Sequence, residues 1–558
     1  MLKRILLTVL SCLAAFAAAP AQELPTPGEA NGFSRYTQHD QILQFLTLLT
    51  ARCKTVQVME IGKTRPVEEY AAESLLLCVV TAAGASRPEQ LDRSRITILI
   101  TASQHGSEQS GKEAALALLR DLALGDLQPL LQKANFLIIP QANPWGNHKD
   151  RRVNELGLDM NRDHIKMESE GVQAIHRVFR AWMPEVTLDV HERGDDYYQV
   201  TVGCVSNVNV DPAIESYSRQ VILTEVAATL ARDKITFHEY LVTSENMPSD
   251  ASGADFTREE LARWPQITRR STSDLNDGRN SLGIYQTFSF IQEGASRHDL
   301  ATLAARTRYQ GRSIRAFIKT VAAHGPEMAS RVRTLRQQLL AGEGAFGEVH
   351  LQMAYRRDPA QPELRLREFR EEKRKDRVLK VDKKAGERIA EEDLEPLSDA
   401  AGPELGERIE KEWYPAVVPT LSVARPLGYV IPAAQAAVIA ALRLHDIEMM
   451  MFTRDAEVKA EGYWTQKVVP SRFDYVAPES LQVEARPLAL LCRKGDIYIP
   501  CRQPAAQLLP CLLEPQSDYG LIRYWKFHLV PEAGNYYALY RIVAEQDLPL
   551  APWCRWPR

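Results

Sequence analysis

Apolar and polar positions follow two different rhythms along this 558-residue chain, and the change from one to the other divides it. From Gln38 to Leu49 the apolar residues Ile42, Leu43, Phe45, Leu46, Leu48 and Leu49 recur at helical spacing, and Ser74 to Thr81 reads as a buried strand. Arg95-Ile96-Thr97-Ile98-Leu99-Ile100-Thr101 predicts a second buried strand, followed by a helix through Gly111 to Leu119. Phe136-Leu137-Ile138-Ile139 and Val186-Thr187-Leu188-Asp189-Val190-His191 predict two more strands, and Ala301 to Leu340 is helical in pattern. Strands alternating with helices predict a mostly parallel sheet. Beyond about residue 345 the rhythm becomes alternating and proline-punctuated, as in Glu363-Leu364-Arg365-Leu366-Arg367 and Val378-Leu379-Lys380-Val381, which read as exposed strands. A helix over Ala433 to Leu444 and a strand over Gly495 to Pro500 complete an α+β pattern.

The expected layout has four parts. Residues 1–21 form a signal peptide and 22–325 an α/β catalytic domain. A helical linker spans 326–345, and an α+β accessory domain fills 346–558. The composition, 45% hydrophobic and 25% charged with a formal charge of -4, suits globular domains and gives no electrostatic support for a nucleic-acid partner. Lys3-Arg4 ahead of the apolar run Ile5 to Ala19, with Ala19-Pro20-Ala21 as a cleavage site, predicts export to a periplasm or the exterior. The apolar run is shorter than the roughly 18 to 20 residues a membrane-spanning helix needs, so no transmembrane span is expected in the mature chain. Cys53, Cys78, Cys204, Cys492, Cys501, Cys511 and Cys554 would then remain, and the cluster Cys492, Cys501 and Cys511 has the opportunity to form a bridge, with buried free thiols as the alternative. The charge-rich segment from Arg370 to Glu412 reads as solvated surface.

Candidate chemistry concentrates on His105, Glu108 and His191. Two neutral imidazoles and one carboxylate are the donor set of a hydrolytic zinc site that leaves one position open for water. His105 would lie on the loop leaving one strand, Glu108 near the start of the next helix, and His191 at the end of a separate strand. His191-Glu192-Arg193-Gly194-Asp195 is not the helical H-E-x-x-H pattern, because Asp195 stands where a second histidine belongs. The remaining histidines read as surface or hydrogen-bonded core residues.

Further motifs follow in a fixed order: Asn143-Pro144-Trp145-Gly146, Arg152-Val153-Asn154, Gly157-Leu158-Asp159-Met160-Asn161-Arg162-Asp163, and Thr287-Phe288-Ser289-Phe290-Ile291-Gln292-Glu293. With His105, Glu108 and His191 they resemble the zinc carboxypeptidase family, the M14-type metallopeptidases or funnelins, over roughly residues 30 to 325. The resemblance implies a mixed, twisted, mostly parallel sheet flanked by helices, with one Zn2+ per chain at the carboxyl edge of the central strands. It implies Glu293 as general base, Arg152 as the cation facing the developing oxyanion, and Asn161 with Arg162 as the grip on a substrate's terminal carboxylate. Peptides or cell-wall peptides are the substrates it implies.

The family's mobile tyrosine has no counterpart at its usual place, since no tyrosine lies between Tyr240 and Tyr285. Either Tyr197, Tyr198 or Tyr285 replaces its hydrogen bond, or that bond is absent. Asp277-Gly278-Arg279-Asn280 offers a side-chain pocket in which Arg279 would select acidic and Asp277 basic side chains, unless the two simply pair. Two other functions stay open: a zinc-dependent amidase acting on N-acyl amino acids, and a non-catalytic peptide- or wall-binding protein.

Overall fold

The computed structural model describes residues 24–193, 198–245, 265–270, 272–295, 299–369, 372–379, 394–399, 404–469 and 480–553. The expected signal peptide, Tyr197, Val381 and Cys554 lie outside them.

Ten strands build the amino-terminal part: β1 (Val56–Lys63), β2 (Ser74–Val80), β3 (Ile96–Ala102), β4 (Ala134–Ile139), β5 (Val186–Arg193), β6 (Val200–Cys204), β7 (Phe237–Glu239), β8 (Val242–Glu245), β9 (Gln266–Arg269) and β10 (Phe288–Ala295). Eight of them form one sheet in the order β1-β2-β4-β3-β5-β10-β6-β7, and β8 pairs with β9 apart from it. The four central strands β4, β3, β5 and β10 run parallel, and antiparallel pairings flank them at β1-β2-β4 and β10-β6. The sheet is therefore mixed, with a parallel centre. Every residue of β3 and β4 is buried, which explains their mostly apolar runs, interrupted only by Thr97, Thr101 and Asn135, whereas edge strand β1 alternates between covered and open positions.

Helices α1 (His39–Arg52), α2 (Gln109–Ala123), α3 (Glu170–Trp182) and α4 (Leu303–Ala341) cover the two faces. One core joins Ile98 and Ile100 of β3 to Leu116 and Leu119 of α2 and to Phe317 and Val321 of α4. Helix α4 runs through Pro326 without ending, and Met328, Val332, Leu335 and Leu339 enter that same core. The segment expected as a linker from 326 is thus the second half of a packed helix. No helix among the described residues is long and apolar enough to cross a membrane.

The carboxy-terminal part is sheet-rich. Its main sheet has seven antiparallel strands, in the order Ser480–Cys492, Ala456–Val469, Tyr536–Ile542, Gly428–Ile431, Ile497–Pro500, Met450–Phe452 and Leu550–Pro552, with helix α5 (Ala436–Leu444) beside it. A second apolar core belongs to both parts, uniting Leu77, Ile165, Phe179 and Tyr285 with Val349, Val438, Leu512 and Tyr524. Cys53, Cys78, Cys204, Cys492, Cys501 and Cys511 are all free thiols, so the bridge considered among the last three does not form. Burial pushes the Cys492 and Cys501 thiols up to about 12, away from thiolate chemistry.

Three buried imidazoles sit where the two parts meet. His164 and His176 share a hydrogen bond of 2.9 Å between Nδ1 and Nε2, and the His445 ring stands edge-on to His176 at 5.9 Å. Burial pushes His164 and His445 down to about 4 and His176 well below the ordinary range. In the unfolded chain each takes a proton near pH 6.5, whereas the fold keeps it neutral, so stability is complete above about 6.5 and declines as pH falls towards 4. For His164 and His445 a gap of that size corresponds to about 3 kcal/mol each. The melting temperature of metal-free protein should fall steeply between pH 6.5 and 4.5; a flat profile would rule this out.

Candidate active site

The chain leaves β3 through Ser103, whose φ of 59° is unusual for a residue with a side chain and turns the backbone sharply towards His105. The next loop packs backbone to backbone against the segment 143–152. A Cβ on Gly106 would collide with the backbone of Gly146 and Asn147 and with the carbonyl oxygen of Arg151. Asn143 donates to the Gln104 carbonyl at 3.1 Å, and Asn147 donates to the Gly106 carbonyl at 2.8 Å. The Asn143-Pro144-Trp145-Gly146 motif is accordingly the bed on which the His105 loop lies.

His105, Glu108 and His191 converge, with one ligand atom from each lying within 4.8 Å of the others, and all three are buried. The Nδ1 atoms of His105 and His191 are 3.1 Å apart, and they stand 2.7 and 2.8 Å from the two Glu108 oxygens. Their other nitrogens face carboxylates: His105 Nε2 donates to Asp159 Oδ1 at 3.0 Å, and His191 Nε2 donates to Asp189 Oδ2 at 2.8 Å. That arrangement puts the imidazole protons on Nε2 and turns both Nδ1 lone pairs to one point, the second-shell pattern of metal-binding histidines. Ligand atoms about 2.0–2.2 Å from a tetrahedral ion are separated by roughly 3.3 Å, close to what is seen here. Although burial opposes charge on His191, Asp189 and Glu108 outweigh it and hold the imidazole well above its ordinary range. The pocket demands positive charge, and the donor set fits a divalent metal.

Of the two carboxylates that hold the imidazoles, Asp189 carries a sequence signal, since Asp-x-His on a strand puts both side chains on one face. Asp189 also accepts from Gln104 at 2.6 Å, and Gln104 in turn meets His164 at 3.0 Å. Replacing Asp189 with Asn should weaken zinc binding about 10- to 100-fold by competitive chelator titration. Unchanged affinity would remove Asp189 from the site.

The expected partners fall around the ligands. Arg152 Nη1 is 3.2 Å from His105 Nδ1 and 3.6 Å from Glu108, with Asp159 gripping the guanidinium at Nε and Nη2. Asn161 accepts from the Gly278 amide at 2.8 Å and turns its Nδ2 towards His191 at 3.5 Å. Arg162, anchored by one bond from Nη1 to the Asn161 carbonyl at 2.7 Å, is exposed. Glu293 pairs in register with His191 across the parallel β5-β10 ladder, so both side chains project from the same face at adjacent positions. It is 8% exposed.

Two candidates behave differently. Tyr285 precedes β10, at the end of the strand opposite Glu293; it is 1% exposed and packs on Phe179 with ring centroids 5.2 Å apart. The structure does not bring it to the cleft. Arg279 is 2% exposed and pairs with Asp277 at 2.9 Å, while Asp277 also caps the following helix by accepting from the Asn280 amide. Tyr198 accepts from the Arg367 amide at 2.9 Å. Another phenol, Tyr240, lies close enough to Glu293 and Arg162 for their charges to act on it. Its ring sits between the Arg193 and Arg279 guanidiniums, each 5.5 Å from the centroid. Burial and then the charge of Glu293 raise its pKa, and Arg162 lies within the same field.

Fold and site together define an α/β protein with three donor side chains, at the carboxyl edge of a mixed sheet, that could hold a metal ion. Residues 42–181 match the family model described as zinc carboxypeptidase. Carboxypeptidase 2 of Trichophyton tonsurans is 24% identical over 225 residues, 38% of this chain and 39% of that protein, and the Trichophyton rubrum protein of the same name matches equally. The chain thus spans about two fifths of the length of these relatives. Solved structures of similar shape include a metallo-carboxypeptidase from Burkholderia cenocepacia, at 17% identity, covering 52% of this chain and 70% of that one with a TM-score of 0.38. Carboxypeptidase A from Helicoverpa armigera is similar at 14% identity, covering 52% and 75% of the two chains with a TM-score of 0.38.

Proposed function

We propose that this protein is a zinc-dependent metallocarboxypeptidase that hydrolyses a peptide bond at or near the carboxyl terminus of its substrate. The observation that carries the reading is the convergence of two Nδ1 atoms and the Glu108 carboxylate beside an exposed Arg162, with Glu293 in register with His191. When bound by His105, Glu108 and His191, zinc would polarise the scissile carbonyl and acidify water. Glu293 would accept the proton as water attacks and pass it to the leaving amine. Arg152, held by Asp159, would face the negative charge developing on the carbonyl oxygen, a contact stronger in the transition state than in the ground state. Arg162 would pair with the terminal carboxylate as a planar fork, with the Asn161 amide as a neutral second donor. Tyr240 would add a phenol at the same cleft. The amino-terminal charge and apolar pattern supports export, which makes cell-wall peptides candidate substrates.

Zinc-loaded protein incubated with mixed peptides and wall-derived muropeptides, with products read by mass spectrometry, tests the reading. Loss of single carboxyl-terminal residues, abolished by a chelator and restored by zinc, is expected. Products of deacylation alone would favour the amidase, and bound zinc without hydrolysis would favour a binding protein.

A further inference from the structure

The two loops that carry the carboxylate grip do not stand on the amino-terminal part alone. Asn161 and Arg162 open the loop 160–167, and Asn161 is fixed by the Gly278 amide at the end of the neighbouring loop 272–278. Asn276 ties these loops together: its carbonyl takes the His164 amide at 3.4 Å and its Oδ1 takes the Ile165 amide at 3.3 Å. The third polar group of Asn276, Nδ2, donates 2.8 Å to the hydroxyl of Tyr524, a residue 248 positions away in the carboxy-terminal part. From the same part, His445 Nε2 donates to the Ile165 carbonyl at 2.9 Å, and the Tyr519 hydroxyl meets Ser273 Oγ at 2.9 Å. Asn276, Tyr524 and His445 are 4%, 5% and 1% exposed, so water cannot replace a bond lost among them.

We propose that Tyr524 and His445 are positioning residues for Asn161 and Arg162, so that the carboxy-terminal part sets the affinity for a substrate's terminal carboxylate. This rests on the reading of Asn161 and Arg162 as the carboxylate grip. Neither residue touches the metal ligands; both act through the loops. Loosening either loop lets the arginine fork and the amide sample positions in which they no longer meet both carboxylate oxygens, which weakens binding, while the β5-β10 ladder keeps Glu293 and His191 in register.

The test uses the full zinc-loaded chain with Tyr524→Phe, His445→Leu and His445→Gln, the last retaining a side-chain amide donor for the Ile165 carbonyl. Hydrogen exchange read by mass spectrometry should speed up in 160–167 and 272–278 of Tyr524→Phe and His445→Leu, with 105–112 unchanged. On a peptide with a free carboxyl terminus KM should rise about five- to tenfold, the equivalent of one lost hydrogen bond, with kcat within about twofold. His445→Gln should recover part of both effects. In an Asn161→Ala background Tyr524→Phe should change KM little further, because the two act through one path. Unchanged exchange in both loops, a fall in kcat with KM constant, or full additivity with Asn161→Ala would each overturn the proposal. A wild-type chain that cleaves no peptide would overturn the reading of the site instead, and loop exchange would still decide whether Tyr524 and His445 position it.

Discussion

Glu293→Gln should keep its zinc and lose turnover by about 10²- to 10⁴-fold, the usual contribution of a positioned general base. Glutamine has nearly the shape of glutamate, so the backbone pairing of β10 with β5 and β6 is undisturbed, and Glu293 is not among the three converging donors. What disappears is a carboxylate able to accept a proton. KM should stay near the wild-type value, since Arg162 and Asn161 remain to bind substrate. Metal content by mass spectrometry and single-turnover rates on a peptide check both halves. Retention of more than about a tenth of wild-type turnover would move the base elsewhere, beyond what loss of a positioned base allows.

Gly106→Ala should disrupt the site more broadly. The added methyl would be driven into the backbone of Gly146 and Asn147 and the Arg151 carbonyl, none of which is a flexible side-chain end. Either the His105 loop lifts or the 143–152 segment retreats, and both separate His105 from Glu108 and Arg152. A destabilisation of about 1–3 kcal/mol is expected from overpacking, with zinc affinity lower by at least about tenfold. Gly311→Ala supplies the control: it lies within α4 with open space around it, where alanine should be neutral or slightly stabilising. Thermal melts and chelator titrations of the two variants should diverge; matching behaviour would show that the loop tolerates the methyl.

Much of the sheet was readable because burial on both faces leaves β3 and β4 predominantly apolar, and because β2, β5 and α4 carry equally plain periodicities. The candidate ligands were readable for a related reason: His105 and Glu108 lie on the short loop between β3 and α2, and His191 near the end of β5. Tyr285 was misplaced by proximity in sequence to Glu293, although β10 carries the two to opposite edges of the sheet. The tasks of Asp159 and Asp189 are to hold imidazoles: Asp159 lies inside the Gly157–Asp163 motif with nothing local to mark its partner, and Asp189 shows only as an alternation easily read as strand polarity. The carboxy-terminal strands were foreseen, but not their embrace of the grip loops. Bonds such as His445 to Ile165 join positions 280 residues apart, and no local pattern encodes them.

The ladder between β5 and β10 separates two kinds of precision. Glu293 and His191 are spaced by main-chain hydrogen bonds, the stiffest ruler a protein has, so breathing of the surrounding loops leaves their separation almost untouched. In the proposed function, recognition would ride on segments that can drift or be re-tuned, whereas the reacting groups would share one beam. Substrate range in this scaffold is therefore free to change by altering loops and their distant supports without realigning the chemistry.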